Sequence, residues 1–227
     1  PIAIFVLVKL KDKNVSRTIS SKDYLKLTFD SIKDKNLIVL NLISFITFVF
    51  LFGPFLNYLP FLINEKFQAE ANEIGIIFFI MSITSALFSF LLDKLVKITT
   101  EKKLLLLSFT VYAISMLLMI LADNIFLIYL SVLLYGLAQG INIPNVLSII
   151  AKVAKPENVA FVFSFNRTIA LLGQAVAPLF FGGIFDYLGV DYVFFVSVGI
   201  SFLMFVFVKF FILEKDGEKR NGAKNYQ

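Results

Sequence analysis

One arginine, Arg167, lies well inside a long apolar stretch of this 227-residue chain. A charged group surrounded by apolar side chains or lipid must have a partner or reach water, because an isolated charge is costly there. An arginine in this position has two functional interpretations: it binds an anionic solute, or it forms a salt bridge in a gate. The alternative is that its long side chain extends toward the nearer surface, beside Asn166. We favour the gate or the extended side chain over direct solute binding.

Polar side chains also stand in two other apolar stretches. Gln139 and Asn142 are three residues apart, as are Asn41 and Ser44, so each pair shares one face of a helix. An amide both donates and accepts hydrogen bonds, which suits contact with a neutral or polyfunctional solute. The same side chains commonly join helices inside membranes. Two interpretations of these side chains therefore remain open: they line a solute cavity, or they pack the helices together.

Aromatic side chains follow Asn41 and Ser44 at helical spacing, namely Phe48, Phe55 and Tyr58. We expect these five residues to lie near one face of the same helix and to line a substrate cavity. The large number of Phe residues in the chain, 28 in all, does not by itself support an aromatic solute, because Phe that faces lipid gives the same count.

Small residues mark places where helices can approach closely. Gly136 and Gly140 form a GxxxG motif, which brings helix backbones together in membranes. A later stretch contains Gly173, Gln174 and Pro178, and its small residues favour a surface that slides or rocks against a neighbouring helix. We expect packing and movement at these positions rather than chemistry.

Prolines in the apolar stretches are expected to disturb a helix, because proline lacks the backbone N–H and clashes with the preceding turn. Pro54 and Pro60 are predicted to kink or end their helix near its outer end. We interpret them as static bends rather than gates. Around Pro144 we expect a break, which Asn145 could cap.

The missing residue types limit the chemistry. The chain has no Cys and no His, which removes disulfides, thiol nucleophiles, histidine bases and the usual zinc ligands. It also has no phosphate-binding or dinucleotide-binding motif. We predict no enzyme activity, no catalytic residue, no metal and no cofactor. Acidic residues fall at the ends of apolar stretches or between them, so the carrier of a coupling proton is expected in another part of the protein.

The composition of the chain and the length of its apolar runs predict the helices that position these residues. Hydrophobic residues make up 59% of the chain and charged residues 16%, which is more apolar surface than a soluble domain of this size buries. Several apolar runs reach the length of roughly 18 residues that is typical of membrane helices, and they are too long and continuous for barrel strands. We predict an all-α integral membrane bundle of six transmembrane helices, at 36–63, 74–92, 104–121, 125–151, 159–185 and 192–213.

Charge along the chain predicts its organisation and orientation. We interpret 1–10 as the end of a truncated transmembrane helix, 11–35 as a central linker, 36–213 as the six-helix domain and 214–227 as a tail. Lys and Arg concentrate in alternate loops, so the positive-inside rule places those loops, the linker and the tail in the cytoplasm. These loops also account for the formal net charge of +5, so we expect no nucleic-acid partner.

Several motifs resemble those of one transporter family. They are GPFLNYLPF at 53–61, IG at 74–75, GLAQGINIPN at 136–145, KPE at 155–157, NR at 166–167, GQAVAP at 173–178 and GG at 182–183. The series resembles the seventh, eighth, tenth and eleventh helices of drug-efflux members of the major facilitator superfamily. Asp93 and Lys94 resemble part of the charged loop between the eighth and ninth helices of that family, which makes Asp93 a gate candidate.

The resemblance implies a fold and a function. The fold would be the C-terminal half of a twelve-helix carrier in the plasma membrane, and its partners would be the lipid bilayer, a small-molecule solute and an N-terminal six-helix half. The function would be secondary active efflux of small amphipathic solutes or drugs by alternating access, with protons as a candidate coupling ion. Two alternatives remain open: an uptake carrier for sugars or organic acids, and a membrane interaction or assembly protein that transports nothing.

Overall fold

A computed structural model describes residues 34–156 and 158–212 of the chain. These residues form helices and connecting turns, and six stretches are long and apolar enough to cross a membrane. The predicted all-α bundle of six spans is therefore confirmed. The predicted end of a truncated helix at 1–10, nearly all of the linker at 11–35 and the tail at 214–227 lie outside the described residues.

The first span consists of three helical segments in succession. Helix α1 runs over Lys35–Phe50, a π-helical segment over Leu51–Tyr58, and helix α2 over Leu59–Phe67. The chain thus stays helical past both prolines, so of the two expected disturbances, a kink or an end, neither proline produces an end. Pro54 lies within the wider π-helical turns, and Pro60 is the second residue of α2.

Five longer helices follow the first span. They are α3 at Ala71–Ile98, α4 at Glu101–Leu121, α5 at Ile125–Val153, α6 at Val159–Leu188 and α7 at Val190–Phe211. Most of them extend beyond the apolar runs that predicted them, because polar residues cap their ends. Glu70 and Glu73 form a reciprocal capping box at the start of α3, and the hydroxyl of Thr100 accepts a hydrogen bond from the Lys103 N–H at the start of α4.

Helix α5 passes through Pro144 without a break. Asn145 therefore caps no break at this proline, contrary to the expectation from the sequence. Its side-chain amide instead donates a hydrogen bond of 2.8 Å to the backbone carbonyl of Glu101 in the first turn of α4. The Glu101 carboxylate accepts from Ser148 and forms an ion pair of 3.0 Å with Lys152. These contacts join the start of α4 to the end of α5.

Successive spans alternate in direction, and the bundle has one large apolar core and a smaller separate cluster at Leu92, Leu104 and Ile141. Helix α4 contacts α5 and α7, helix α3 contacts α5, and helix α1 contacts α6. Only 11% of the apolar window of α3 and 22% of that of α6 are buried. Wide apolar faces of these two helices therefore remain open for lipid or for other protein.

Glycines allow two of these contacts to be close. A Cβ atom added to Gly136 would lie 2.7 Å from the Met81 carbonyl oxygen in α3, and one added to Gly140 would collide with the Ser85 carbonyl. In the same way, a Cβ on Gly173 would lie 2.5 Å from the carbonyl oxygen of Phe45, where α6 crosses α1. Backbone meets backbone at these positions, and a larger residue would separate the helices.

Candidate functional site

A cavity of about 510 Å³ lies between α1, α5 and α6. It occupies the half of the bundle in which α1 and α6 begin and α5 ends, which we call the basic end because Lys94, Lys97, Lys103 and Lys152 lie there. The polar side chains in its wall are Ser44, Thr47, Asn142, Ser164, Asn166 and Arg167. The apolar side chains in its wall are Phe48, Ile143, Val146, Leu147, Phe163 and Ala170.

Both the oxygen and the nitrogen of the Asn142 side-chain amide form hydrogen bonds. Its oxygen accepts a hydrogen bond of 2.8 Å from the Thr47 hydroxyl of α1, and its nitrogen donates one of 2.8 Å to the Ser108 hydroxyl of α4. The Thr47 hydroxyl also lies 2.8 Å from the Ile43 carbonyl, so its one hydrogen is shared between two acceptors. Asn142 itself is fully buried. It thus fixes three helices around the cavity, and a solute can touch it only if neighbouring side chains move.

Asn166 joins α6 to α1. Its side-chain nitrogen donates hydrogen bonds of 2.9 Å to the Asn41 carbonyl oxygen and 2.8 Å to the Ser44 hydroxyl. All three side chains are buried. This cluster uses both hydrogens of the amide nitrogen, so it fixes the direction in which Asn166 points and the register between the two helices.

Arg167, the next residue, is exposed and lines the cavity. Its guanidinium carbon lies 5.2 Å from the centre of the Phe48 ring, which is within the range of a cation–π contact. The ion pairs found among residues 34–156 and 158–212 are Lys66–Asp191 and Lys152–Glu101. In that part of the chain, no carboxylate therefore lies within 4.0 Å of the Arg167 guanidinium.

Three residues predicted to line the cavity lie elsewhere. Phe55 is buried and stacks on Tyr135, with ring centres 4.2 Å apart. The Tyr58 hydroxyl donates to the Pro178 carbonyl at 3.1 Å, and Gln139 accepts a hydrogen bond from Tyr112 in the core. For Phe55 and Tyr58 the reason is the π-helical segment, which changes the phase of the first span after Phe50.

The gate and interface candidates are spread over the bundle. Asp93 is exposed near the end of α3, whereas Pro144 and Gln174 are half-buried within α5 and α6. The glycines at 136, 140 and 173 lie at the helix contacts described above rather than at the cavity. Of these candidates, Asn166 and Arg167 are the two that the structure brings to the cavity wall.

Sequence reasoning missed other parts of the site. Thr47, Ser108, Phe163 and Ser164 were not singled out, yet Ser108 holds Asn142 and the other three lie in the cavity wall. The spacing could have indicated Thr47, which lies one helical turn from Ser44. Nothing in the sequence distinguishes Ser108 from the other hydroxyl residues of its helix.

The size of the cavity suits the binding of a small molecule. Within the described ranges, no group of three or more His, Cys, Asp or Glu residues comes together to hold a metal. A volume of about 510 Å³ falls within the range of roughly 300–1,000 Å³ that is typical of small-molecule sites. Six apolar spans, three of which enclose a cavity with polar side chains in its wall, define a multi-pass α-helical membrane protein with a solute-sized site.

Comparison with known proteins identifies the family. Residues 38–225 match the model of the Major Facilitator Superfamily, so the chain belongs to this family of transporters. Among solved structures, the crystal structure of the human organic anion transporter MFSD10 (TETRAN) has the same fold, with a TM-score of 0.72 and 21% sequence identity. The match covers 84% of this chain and 46% of that one, so the chain spans about half the length of that transporter. No curated protein matches the chain.

Proposed function

We propose that the chain is the C-terminal half of a secondary transporter, and that the cavity between α1, α5 and α6 is its share of the solute path. The observation that carries this proposal is the cavity wall itself, which combines an exposed arginine with apolar and aromatic side chains within membrane-spanning helices. Polar groups in such spans are costly and are commonly retained where they face a substrate path.

The proposed mechanism is alternating access, in which two six-helix halves rock around a site near the middle of the membrane. An N-terminal six-helix half would cover the open side of the cavity. The basic end would face the cytoplasm of the cell by the positive-inside rule, in the plasma membrane. The rigid contacts at Asn166 and Gly173 support movement of α1 and α6 as one body.

The solute we propose is small and amphipathic, and the direction is efflux. Half-buried Phe48 and Phe163 offer apolar surface, while Arg167 offers hydrogen-bond donors and the Ser164 hydroxyl oxygen offers an acceptor on the same wall. Described acidic residues lie near helix ends or between helices. Proton coupling, if the carrier uses it, would therefore depend on an acidic residue of the N-terminal half.

Filling the cavity tests the proposal. Ser164 is exposed in the cavity wall, and its hydroxyl donates to the carbonyl four residues earlier. Ser164→Phe places a ring in the cavity and should lower solute flux by about tenfold, because a site of this kind must bury most of its ligand. The measurement is flux of amphipathic aromatic solutes of negative, neutral and positive charge in proteoliposomes that contain the full-length protein.

Thr110→Phe is the matched control. Thr110 is also exposed, and its hydroxyl also bonds the carbonyl four residues earlier, but it lies on α4 away from the cavity. Flux in this variant should match that of the wild type. Flux that is equal in both variants would contradict the proposed site.

The wild-type protein distinguishes the alternative functions. If it moves none of these solutes but does move sugars or small organic acids, the result would favour the uptake carrier. If it moves nothing, the result would favour an assembly role.

A further inference from the structure

Among the residues that the structure describes, the cavity wall contains one side chain that carries a full charge, Arg167. No carboxylate of the described residues lies within 4.0 Å of its guanidinium. This arginine lies in α6 about 12 Å from the start of the helix, at 1.5 Å of rise per residue. A cation at this depth that is not neutralised by its own bundle is a strong attractor for an anion that enters the cavity.

Neighbouring contacts hold Arg167 in place. Asn166 is fixed to α1 by its two hydrogen bonds, so the backbone that carries Arg167 cannot rotate away from the cavity without breaking them. On the adjacent helix α1, the Phe48 ring faces the guanidinium and stacks with Phe52, whose ring centre is 6.2 Å away. The cation and the ring therefore form a preorganised pair rather than two freely moving side chains.

The chemistry of this pair selects a class of ligand. A guanidinium is planar and always charged, and its N–H groups match the oxygens of a carboxylate, sulfonate or phosphate in a two-point contact. Phe48, Phe163 and Leu147 supply apolar surface within the same wall. We infer that Arg167 binds the anionic group of the solute, so that the transported class is an organic anion with an apolar or aromatic body. This inference rests on the proposed function, because it names the substrate class of the same cavity.

The competing role of Arg167 is a gate. In that case a carboxylate of the N-terminal half would pair with the guanidinium when the cavity closes. The two roles predict different losses, because a gate residue affects the movement of every solute whereas an anion-binding residue affects the affinity for anions. A pair of probes with one shape and two charges therefore separates them.

The experiment measures equilibrium binding of two probes to the full-length protein in detergent by isothermal titration calorimetry. The probes are 2-naphthalenesulfonate, an anion, and naphthalene-2-sulfonamide, which is neutral and has the same aromatic body. Arg167→Gln should weaken sulfonate binding by about tenfold or more, since hydrogen bonds to charged groups are the stronger class. The same substitution should change sulfonamide binding by about fivefold or less, the effect of an ordinary hydrogen bond. Arg167→Lys should retain part of the sulfonate affinity, because it keeps the charge but loses the two-point contact.

Phe48→Leu is the second variant, since it removes the ring but keeps an apolar side chain. It should weaken both probes to a similar extent. The anion subsite is overturned if wild-type protein does not bind the sulfonate, or if Arg167→Gln weakens both probes equally or neither. If the Arg167→Gln variant binds both probes normally but no longer transports solute, Arg167 acts as a gate residue. That result also overturns the anion subsite.

Flux measurements keep this inference distinct from the proposed function. If solutes cross the membrane but sulfonate binding does not depend on Arg167, the anion subsite fails while the transporter stands. If sulfonate binding depends on Arg167 but no solute crosses the membrane, the subsite stands while the transport function fails.

Discussion

Asn166 and Arg167 are adjacent in the sequence, yet they contact different surroundings. Asn166 is buried and bonded to two side chains of α1, whereas Arg167 is exposed and faces the cavity. Because successive residues of a helix point about 100° apart, one neighbour can anchor the helix while the other meets a ligand. At this point of α6, the helix contact and the proposed binding contact are therefore separate targets for mutation.

The first prediction concerns the anchor. Asn166→Leu should lower the free energy of unfolding by about 1 to 2 kcal/mol, because it removes two hydrogen bonds and leaves Asn41 and Ser44 without their buried donor. The measurement is unfolding of the full-length protein in mixed micelles on addition of a denaturing detergent. Ser197→Ala is the control, since the buried Ser197 hydroxyl bonds the Val193 carbonyl of its own helix. An equal loss of unfolding free energy in both variants would show that the hydrogen bonds between α6 and α1 stabilise the protein no more than a bond within one helix does.

Polarity within apolar stretches was enough to single out Asn41, Asn142, Asn166 and Arg167 from the sequence. Their partners were harder to find. Thr47 shares its hydroxyl hydrogen between the Ile43 carbonyl of its own helix and Asn142 of α5, whereas Thr110 donates to the Leu106 carbonyl of its own helix. Both threonines stand in similar apolar surroundings, and hydroxyl residues in helices commonly make the second kind of bond. Only the packing of the helices distinguishes the two cases.

At the scale of the element, the first span shows where a helical pattern fails. Positions 44 and 48 reach the cavity as the 3.6-residue period predicts, but Phe55 and Tyr58 do not. The π-helical segment at Leu51–Tyr58 intervenes and contains Pro54. A proline in the sequence indicates a disturbed helix, but it does not say whether the chain kinks, ends or widens its turns. The consequence for Phe55 could therefore not be read from the residues alone.

The second prediction concerns the contact between α5 and α3. Gly140→Ala should cost about 1 to 3 kcal/mol of stability, because the new methyl group collides with the Ser85 carbonyl and forces the two backbones apart. Gly199→Ala is the matched control in α7. Its Cβ would meet nothing within 4 Å, so alanine should be neutral or stabilising by up to about 1 kcal/mol through its helix propensity.

Unfolding in mixed micelles measures both glycine variants on the same scale. A Gly140→Ala protein as stable as the Gly199→Ala protein would mean that α5 and α3 are not in backbone contact. A Gly140→Ala protein that is less stable but binds the sulfonate with unchanged affinity would also show that this helix contact and the cavity act independently. The cavity lies on the other side of α5, between α1 and α6.

For the whole molecule, the sequence predicted the six spans correctly because long apolar runs have no other stable backbone structure in lipid. It placed the starts of α3 and α4 too late, since the capping residues Glu70 and Thr100 begin these helices before the apolar runs. The cavity could not be predicted as a volume, because it exists only where α1, α5 and α6 come together. The exposed faces of α3 and α6 fit a bundle that contacts lipid and a second half.

Access to the cavity from both sides of the membrane is the central claim of the transport mechanism. The chain has no Cys, so a cysteine placed at Ser164 can report on the cavity once any cysteine elsewhere in the full-length protein has been replaced. Lys103→Cys and Asp123→Cys mark the two ends of the bundle, since they lie at opposite ends of α4. A thiol reagent that does not cross membranes should reach each marker from one side only.

The most direct measurement is labelling of Ser164→Cys with this reagent, in right-side-out and inside-out vesicles, with and without saturating solute. Alternating access predicts labelling from both sides, with a ratio between the sides that changes when the solute is bound. Labelling from one side only, in every condition, while both markers react as expected, would contradict it.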